Sequence, residues 1–237
     1  MGRLWYNGAK AMGMRGGRRV ITREEVDGLT LLQSSEEFRL TRDTLALARF
    51  ATLHRGDRVC DLGCGVGNLL IPLAARSDGL TLDGVELREA AAALCRENLA
   101  CNGLAGTVVT GDLNDRHPAL PWGGYDLVAA NPPYFPAGDG AVSGCAARAA
   151  ARTEGSFTLQ SACGTAGRLC KNGGRFALCL RPERLAELFA ALRAAGLEPK
   201  RLQLLQAGPA AGANLALVEA KKGGRPGLRV LPVEIGK

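Results

Sequence analysis

Val59-Cys60-Asp61-Leu62-Gly63-Cys64-Gly65-Val66-Gly67-Asn68 sets a short apolar run directly against three glycines at alternate positions. Such a run reads as a buried strand, and the glycines read as a tight turn into a helix. Glycine there permits positive φ and lets a ligand come close to the backbone. The amides at the start of the following helix, predicted over 67–76, favour an anionic group. The spacing is Gly-x-Gly-x-Gly, so it does not match the usual dinucleotide fingerprint.

Outward from this turn, strand and helix patterns alternate. Strands are predicted at 58–61, 80–86, 107–110, 126–130 and 175–180. Helices are predicted at 41–53, 89–102, 157–170 and 183–195, with two closing strands near 200–206 and 214–220. The alternation predicts an α/β fold, a doubly wound and mostly parallel sheet with an antiparallel pair closing it. Pro136–Gly155 is rich in Gly and Ala without an apolar period, and reads as a long loop.

Composition excludes several classes. Hydrophobic residues make up 46% and charged residues 22% of 237 residues, as in an ordinary globular protein. No stretch reaches the roughly 18 apolar residues of a membrane span, and no secretory signal stands at the N-terminus. Most of the eight cysteines fall within apolar patterns, no Cys-x-x-Cys pair occurs and there are two histidines. Neither a metal site nor a disulfide framework is expected, and buried thiols point to the cytoplasm. The net charge is +7, yet residues 1–23 alone carry +6 and residues 200–237 carry +5. The body between is mildly acidic. Basic ends suit nucleic-acid phosphates, or simply solvent. Residues 1–23 read as a loose basic arm. Residues 24–237 read as one domain, with its core at about 41–220 and a basic stretch at 221–237.

Two acids sharpen the reading of the glycine turn. Glu86 ends the second strand of the alternation, where a carboxylate can grip both hydroxyls of a ribose. Asp112 follows the third strand and can accept from an adenine amino group. Asp61 can brace the turn or meet an ammonium group. Together these motifs resemble the class I S-adenosylmethionine-dependent methyltransferases over about residues 41–220. That resemblance implies a seven-stranded sheet whose last strand is antiparallel. It also implies that Asp61, Gly63, Gly65 and Gly67 run under the methionine part, Glu86 takes the ribose, and Asp112 with Leu113 frames the adenine.

Asn131-Pro132-Pro133-Tyr134-Phe135 follows the fourth strand and opens on the same crevice. An amino nitrogen conjugated to a purine or a carbonyl has a delocalised lone pair. Methylation requires that pair to turn toward the methyl donor. Two acceptors aimed at the two N–H bonds favour this geometry: the Asn131 side-chain carbonyl and the Pro132 backbone carbonyl. Tyr134, with Phe135 beside it, offers a face on which a flipped base can stack. Asn131 then borders both the cofactor and the reacting amine. This tetrapeptide accompanies exocyclic adenine methylation and also protein glutamine methylation, and alone does not separate them.

Leu32–Asp43, Ala151-Arg152-Thr153-Glu154 and Leu217–Leu228 extend the likeness. With them the chain resembles the bacterial tRNA1(Val) adenine-37 N6-methyltransferases over about residues 24–235. The resemblance implies an anticodon-loop adenine as substrate and tRNA as partner. Lys221, Lys222, Arg225 and Arg229 could meet RNA phosphates, and Arg148 and Arg152 could order the long loop over substrate. A protein glutamine N5-methyltransferase and a noncatalytic cofactor-binding subunit stay open at this point.

Overall fold

A computed structural model describes residues 6–12, as backbone, together with 20–132 and 157–235. Two sheets organise them. The first is antiparallel, with strand order β1 (Tyr6–Met12), β2 (Ile21–Val26), β3 (Leu29–Ser34). Part of the expected loose arm is therefore a strand, and β2 runs across the expected boundary at residue 23. Asp27 and Gly28 join β2 to β3 with φ of 45° and 85°. Two positive φ values make the tight hairpin turn that an Asp-Gly pair favours.

The larger sheet contains β4 (Arg58–Leu62), β5 (Thr81–Glu86), β6 (Val108–Thr110), β7 (Tyr125–Ala130), β8 (Cys170–Leu180), β9 (Leu197–Gln206) and β10 (Ala213–Lys222). Their order is β9-β10-β8-β7-β4-β5-β6, with β10 alone antiparallel to its neighbours. These seven strands follow the expected arrangement. Two short strands, β11 (Arg229–Val230) and β12 (Glu234–Ile235), pair with the outer edge of β9 and bring the count to nine. The basic C-terminal stretch thus covers a sheet edge that would otherwise present unpaired backbone groups.

Residues alternate between two cores, as a sheet covered on both faces requires. Val59, Leu127, Ala129, Ala177 and Leu217 face α1 (Arg42–Phe50), α2 (Leu70–Ala74) and α3 (Glu89–Cys101). Cys60, Leu62, Val128, Phe176 and Val218 face α4 (Leu159–Leu169) and α5 (Leu185–Ala194). Thr41 caps α1 by accepting from the Thr44 amide. Thr158 and Ser161 form a reciprocal capping box on α4. Among the described residues, no helix is long and apolar enough to cross a membrane.

The hairpin is fastened to the larger unit by two asparagines four residues apart, Asn98 on α3 and Asn102 at its C-terminal cap. The Asn98 carboxamide oxygen accepts from Leu32 N at 2.7 Å, and its nitrogen donates to Leu32 O at 2.9 Å and to Val66 O at 2.8 Å. Asn102 does the same for Thr30, accepting from its N at 2.8 Å and donating to its O at 2.7 Å. Four helical residues rise about 6 Å and two strand residues advance about 6.8 Å, so both pairs can form at once. Asn98 has no exposed surface. Asn98→Ala should therefore lower stability by roughly 2–4 kcal/mol, because it leaves several backbone groups unsatisfied. Urea unfolding checks this, and a loss below about 1 kcal/mol would mean that water takes the place of the side chain.

Candidate active site

Strand order reverses at β4, whose neighbours β5 and β7 lead to opposite sides. A crevice opens where that happens, beyond the carboxyl ends of the strands. Here it is a cavity of about 440 Å³. Its wall takes Asp61, Leu62, Gly63, Cys64 and Gly65 from the end of β4 and the turn after it. Glu86 and Arg88 come from the end of β5, and Asn131 and Pro132 from the end of β7.

The three glycines serve three different ends. All have positive φ, at 76°, 54° and 91° for Gly63, Gly65 and Gly67. A side chain at Gly65 would meet nothing within 4 Å, so its face lies open. One at Gly63 would stand 3.4 Å from the Phe157 ring, and one at Gly67 would stand 3.2 Å from Cys95 Sγ. Gly67 therefore serves packing against α3 and does not line the cavity. The helix expected over 67–76 is only the five residues of α2, and turns fill 65–69. The open backbone belongs to the glycine turn and not to a helix terminus.

Glu86 is held from two sides. Its Oε2 accepts from Gly65 N at 3.0 Å, and its Oε1 accepts from Arg88 N at 3.0 Å and Arg88 Nε at 3.2 Å. The end of β5 is thereby tied to the glycine turn. Asp61 contrasts with it. That side chain is 2% exposed, and its Oδ1 has no hydrogen-bond partner. Burial, and then the charge of Glu86, push its carboxyl up to about 8. Asn68 Oδ1, also on the cavity wall, is a second buried acceptor without a partner. The Asp61 and Glu86 carboxyls and the unpartnered Asn68 oxygen fit a ligand that is cationic and rich in donors. S-adenosylmethionine has an ammonium, a sulfonium and ribose hydroxyls, and so fits.

Asn131 brings its carboxamide to the same wall. Its Nδ2 donates to Thr44 Oγ1 at 2.7 Å, and Cys179 Sγ donates to its Oδ1 at 3.0 Å. Pro132 is buried beside it. Other expected residues are not gathered here. Asp112 lies outside the wall, its Oδ1 accepting from Asn114 N and Nδ2 at 2.8 Å each. Leu113 is a core residue whose carbonyl accepts from Thr165 Oγ1 at 3.0 Å. Gly111 N donates to Glu86 O at 2.9 Å, which sets this turn next to the end of β5. Lys221 and Lys222 lie at the far end of the sheet. Lys221 pairs with Arg175, whereas Leu217 pairs with Cys179, the residue in contact with Asn131. Four strand residues separate the two levels, roughly 13 Å. Lys222 Nζ donates to Cys170 O at 2.8 Å, and Arg225, exposed nearby, accepts from Lys200 Nζ at its carbonyl. Tyr134, Phe135, Arg148, Arg152 and the 136–155 loop lie outside the described residues.

Sequence reading missed several wall residues. Phe38 and Thr41 arrive from the segment between β3 and α1, Asp43 and Thr44 from the first turn of α1, and Phe157 from the residues before α4. Asn68 Nδ2 donates to Phe38 O at 2.7 Å and pins that segment to the glycine turn. The cap signal Thr-x-x-Thr at the start of α1 was the available clue.

The state of Asp61 yields a measurable linkage. With its carboxyl raised to about 8, Asp61 is mostly protonated at pH 7 in the cofactor-free protein. An ammonium placed beside it stabilises the carboxylate and returns its pKa toward the ordinary range. Binding of S-adenosylmethionine at pH 7 should then release roughly 0.7–0.9 of a proton. Calorimetry in buffers of different ionisation enthalpy reads this directly, and Asp61→Asn should abolish it. A wild-type enthalpy that is the same in every buffer would mean that Asp61 is already ionised.

Proteins similar to this chain are known. Residues 40–154 match the family described as "Methyltransferase small domain". The tRNA1(Val) (adenine(37)-N6)-methyltransferase of Dickeya chrysanthemi is 36% identical over 158 residues, covering 63% of this chain and 59% of that protein. A 4-amino-L-phenylalanine/4-methylamino-L-phenylalanine methyltransferase of Streptomyces pristinaespiralis is 38% identical over 102 residues, covering 42% of this chain and 34% of that protein. The chain thus spans less than two thirds of the length of the curated relatives it matches. Among solved structures, protein Atu636 of Agrobacterium tumefaciens, described as a predicted O-methyltransferase, superposes with a TM-score of 0.64 at 25% identity. That match covers 81% of this chain and 86% of that one. In its strand order, its glycine turn and this domain match, the chain is similar to the S-adenosylmethionine-dependent methyltransferases.

Proposed function

We propose that this protein methylates the exocyclic N6 of an adenine in tRNA, at position 37 of the anticodon loop. The observation that carries the reading is the Asn131-Pro132 pair on the same cavity wall as Asp61 and Glu86. S-adenosylmethionine supplies an electrophilic methyl group on a sulfonium. Glu86 accepts from the ribose hydroxyls, and Asp61 receives the ammonium. The Asn131 side-chain carbonyl and the Pro132 backbone carbonyl accept the two N–H bonds of the target amine and turn its lone pair toward the methyl group. The nitrogen becomes acidic once the new bond forms, so its proton leaves without a strong base. Tyr134 and Phe135 stack the extruded base in this scheme, and Arg148 and Arg152 order the loop over it.

The named substrates of the two relatives support an amine acceptor. Adenine N6 and the 4-amino group of 4-aminophenylalanine are both nitrogens conjugated to an aromatic ring. The tRNA assignment follows the adenine-37 enzymes alone. The cytoplasm is where such a substrate is met. Lys221, Lys222 and Arg225, remote from Asn131, meet phosphates away from the catalytic mouth. Replacing all three with glutamine should weaken tRNA binding at low salt. It should also flatten the salt dependence by about one unit of slope for each phosphate that is no longer neutralised. An unchanged slope would return them to solvent.

The deciding experiment offers total tRNA, unmodified rRNA and a protein extract with labelled S-adenosylmethionine, then digests and identifies the product. N6-methyladenosine from tRNA is expected, and N5-methylglutamine would overturn the assignment. Asn131→Ala should lower kcat on the order of 10²–10³, since its acceptor works mainly in the transition state. Cofactor affinity should move by less than about tenfold. Near-normal turnover by Asn131→Ala would leave Asn-Pro-Pro-Tyr as no more than a strand terminator.

A further inference from the structure

We propose that Arg116, Trp122 and Arg168 form a contact surface for the RNA backbone, in which an exposed indole holds two guanidiniums in place for phosphates of the substrate tRNA. The identity of the polymer rests on the tRNA reading above, while the surface lies on a different part of the molecule from the crevice. Trp122 is 51% exposed, whereas Leu120 and Tyr125 on either side of it are 3% and 0% exposed. The turn that carries it is tight. Gly123 has φ of 67°, and a side chain at Gly124 would stand 2.9 Å from Pro121 Cγ. The chain fills the core with Leu120 and Tyr125 and leaves a large ring in water, an arrangement that hydrophobic burial alone does not select.

Two cations gather around that ring. The Arg116 guanidinium lies 5.0 Å and the Arg168 guanidinium 5.7 Å from its centroid. Neither forms an ion pair among the described residues. Asp126, at the start of β7, is already paired with Lys171. Two like charges at one ring repel, and an anion bound between them removes the repulsion. A guanidinium stacked on an aromatic face still presents its N–H edges outward, in the fork that suits phosphate. The indole thereby fixes the arginine side chains and lowers the entropy lost on binding. The loop between β6 and β7 is itself fastened to α4 near both ends. Leu113 O accepts from Thr165 Oγ1 at 3.0 Å, and Gly123 N donates to Arg168 O at 2.8 Å. Arg168 Nη2 also donates to Thr165 Oγ1 at 2.9 Å, which leaves its other N–H groups for a ligand.

The surface continues into other cations. Lys222 Nζ donates to Cys170 O at 2.8 Å, two residues beyond Arg168, and Cys170 pairs with Tyr125 at the start of β7. Lys221 pairs with Arg175 at this same end of the sheet. A run of neighbouring contacts therefore leads from Arg116 through Trp122 and Arg168 to Lys222. The six residues of β7 separate this end from Asn131, a span of roughly 20 Å. A free nucleotide cannot reach from one to the other. A polymer of phosphates can, held at the far end of the sheet while its target base enters the crevice.

Binding of unmodified tRNA to the full chain, measured by fluorescence anisotropy over a range of salt concentrations, tests the surface. Arg116→Gln combined with Arg168→Gln should weaken binding at low salt about tenfold or more and flatten the salt dependence by about 1.5 units of slope, as for two lost phosphate contacts. Arg116→Lys with Arg168→Lys should keep the slope, because the charges remain. Trp122→Ala should also keep it while weakening binding about three- to tenfold, because the guanidiniums are no longer held. Affinity for S-adenosylmethionine, at a distant site, should stay within about threefold in every variant. In Trp5→Phe, Trp122 is the only tryptophan left, and its fluorescence should change with the same midpoint as tRNA binding. An unchanged slope in the glutamine variant, full affinity in Trp122→Ala, or an unresponsive Trp122 would each overturn the proposal. So would polyglutamate that binds as tightly as tRNA and is lost to the same substitutions, since the surface would then serve an acidic protein. Wild-type protein that methylates tRNA while the glutamine variant binds it normally would overturn the surface and leave the proposed function standing. Wild-type protein that binds tRNA through these residues without methylating it would defeat the proposed function alone.

Discussion

The reversal of strand order at β4 governs everything else in this molecule. Connections that leave β4 for β5 and return toward β7 run on opposite faces, so no single helix can cover the carboxyl ends of these strands. The gap that results must be lined by strand ends and turns. Asp61, Glu86 and Asn131 each stand at the end of one of the three central strands. Their convergence is a property of the topology, and only their chemical identities are left for the sequence to choose.

Those identities are unevenly supported. Glu86 is bonded to two backbone amides and to Arg88, so its charge is compensated before any ligand arrives. Asp61 lies buried close to it with an unpartnered oxygen. Two carboxylates in one small space cannot both be comfortable as anions. The protein resolves the conflict by satisfying one and leaving the other to be satisfied by what binds.

Much of this was legible from residues alone, and the failures have physical causes. The alternation of patterns specified a mostly parallel sheet covered on both faces, because such a sheet leaves continuous apolar strands, and the seven-stranded arrangement came only through the family resemblance. The N-terminal hairpin escaped notice even though Asp27-Gly28 is a strong turn signal. Its strands Ile21–Val26 and Leu29–Ser34 are partly polar, and Leu29–Ser34 depends on Asn98 and Asn102 for its outer hydrogen bonds. Strands β11 and β12 are two residues each and exist only because β9 offers an edge. The lysines at 221 and 222 could have been placed correctly. A strand antiparallel to the others carries its C-terminal residues away from the crevice by construction. Thr44 and Cys179 left no readable trace, since only tertiary contact makes a threonine and a cysteine partners of Asn131.

The two asparagines at the C-terminal end of α3 have a consequence for how the protein ages. Asn102 is followed by Gly103, and asparagine before glycine is the pairing in which the next backbone nitrogen most easily attacks the side chain and expels ammonia. Here the Asn102 carboxamide is anchored on Thr30 at both of its ends, and its nitrogen also donates to Asn98 O at 2.7 Å. Attack requires the side chain to swing free of the hairpin first. Docking of β3 therefore works as a chemical preservative, and each excursion of the hairpin from α3 exposes Asn102 to irreversible conversion into an aspartate that can no longer donate to the Thr30 carbonyl.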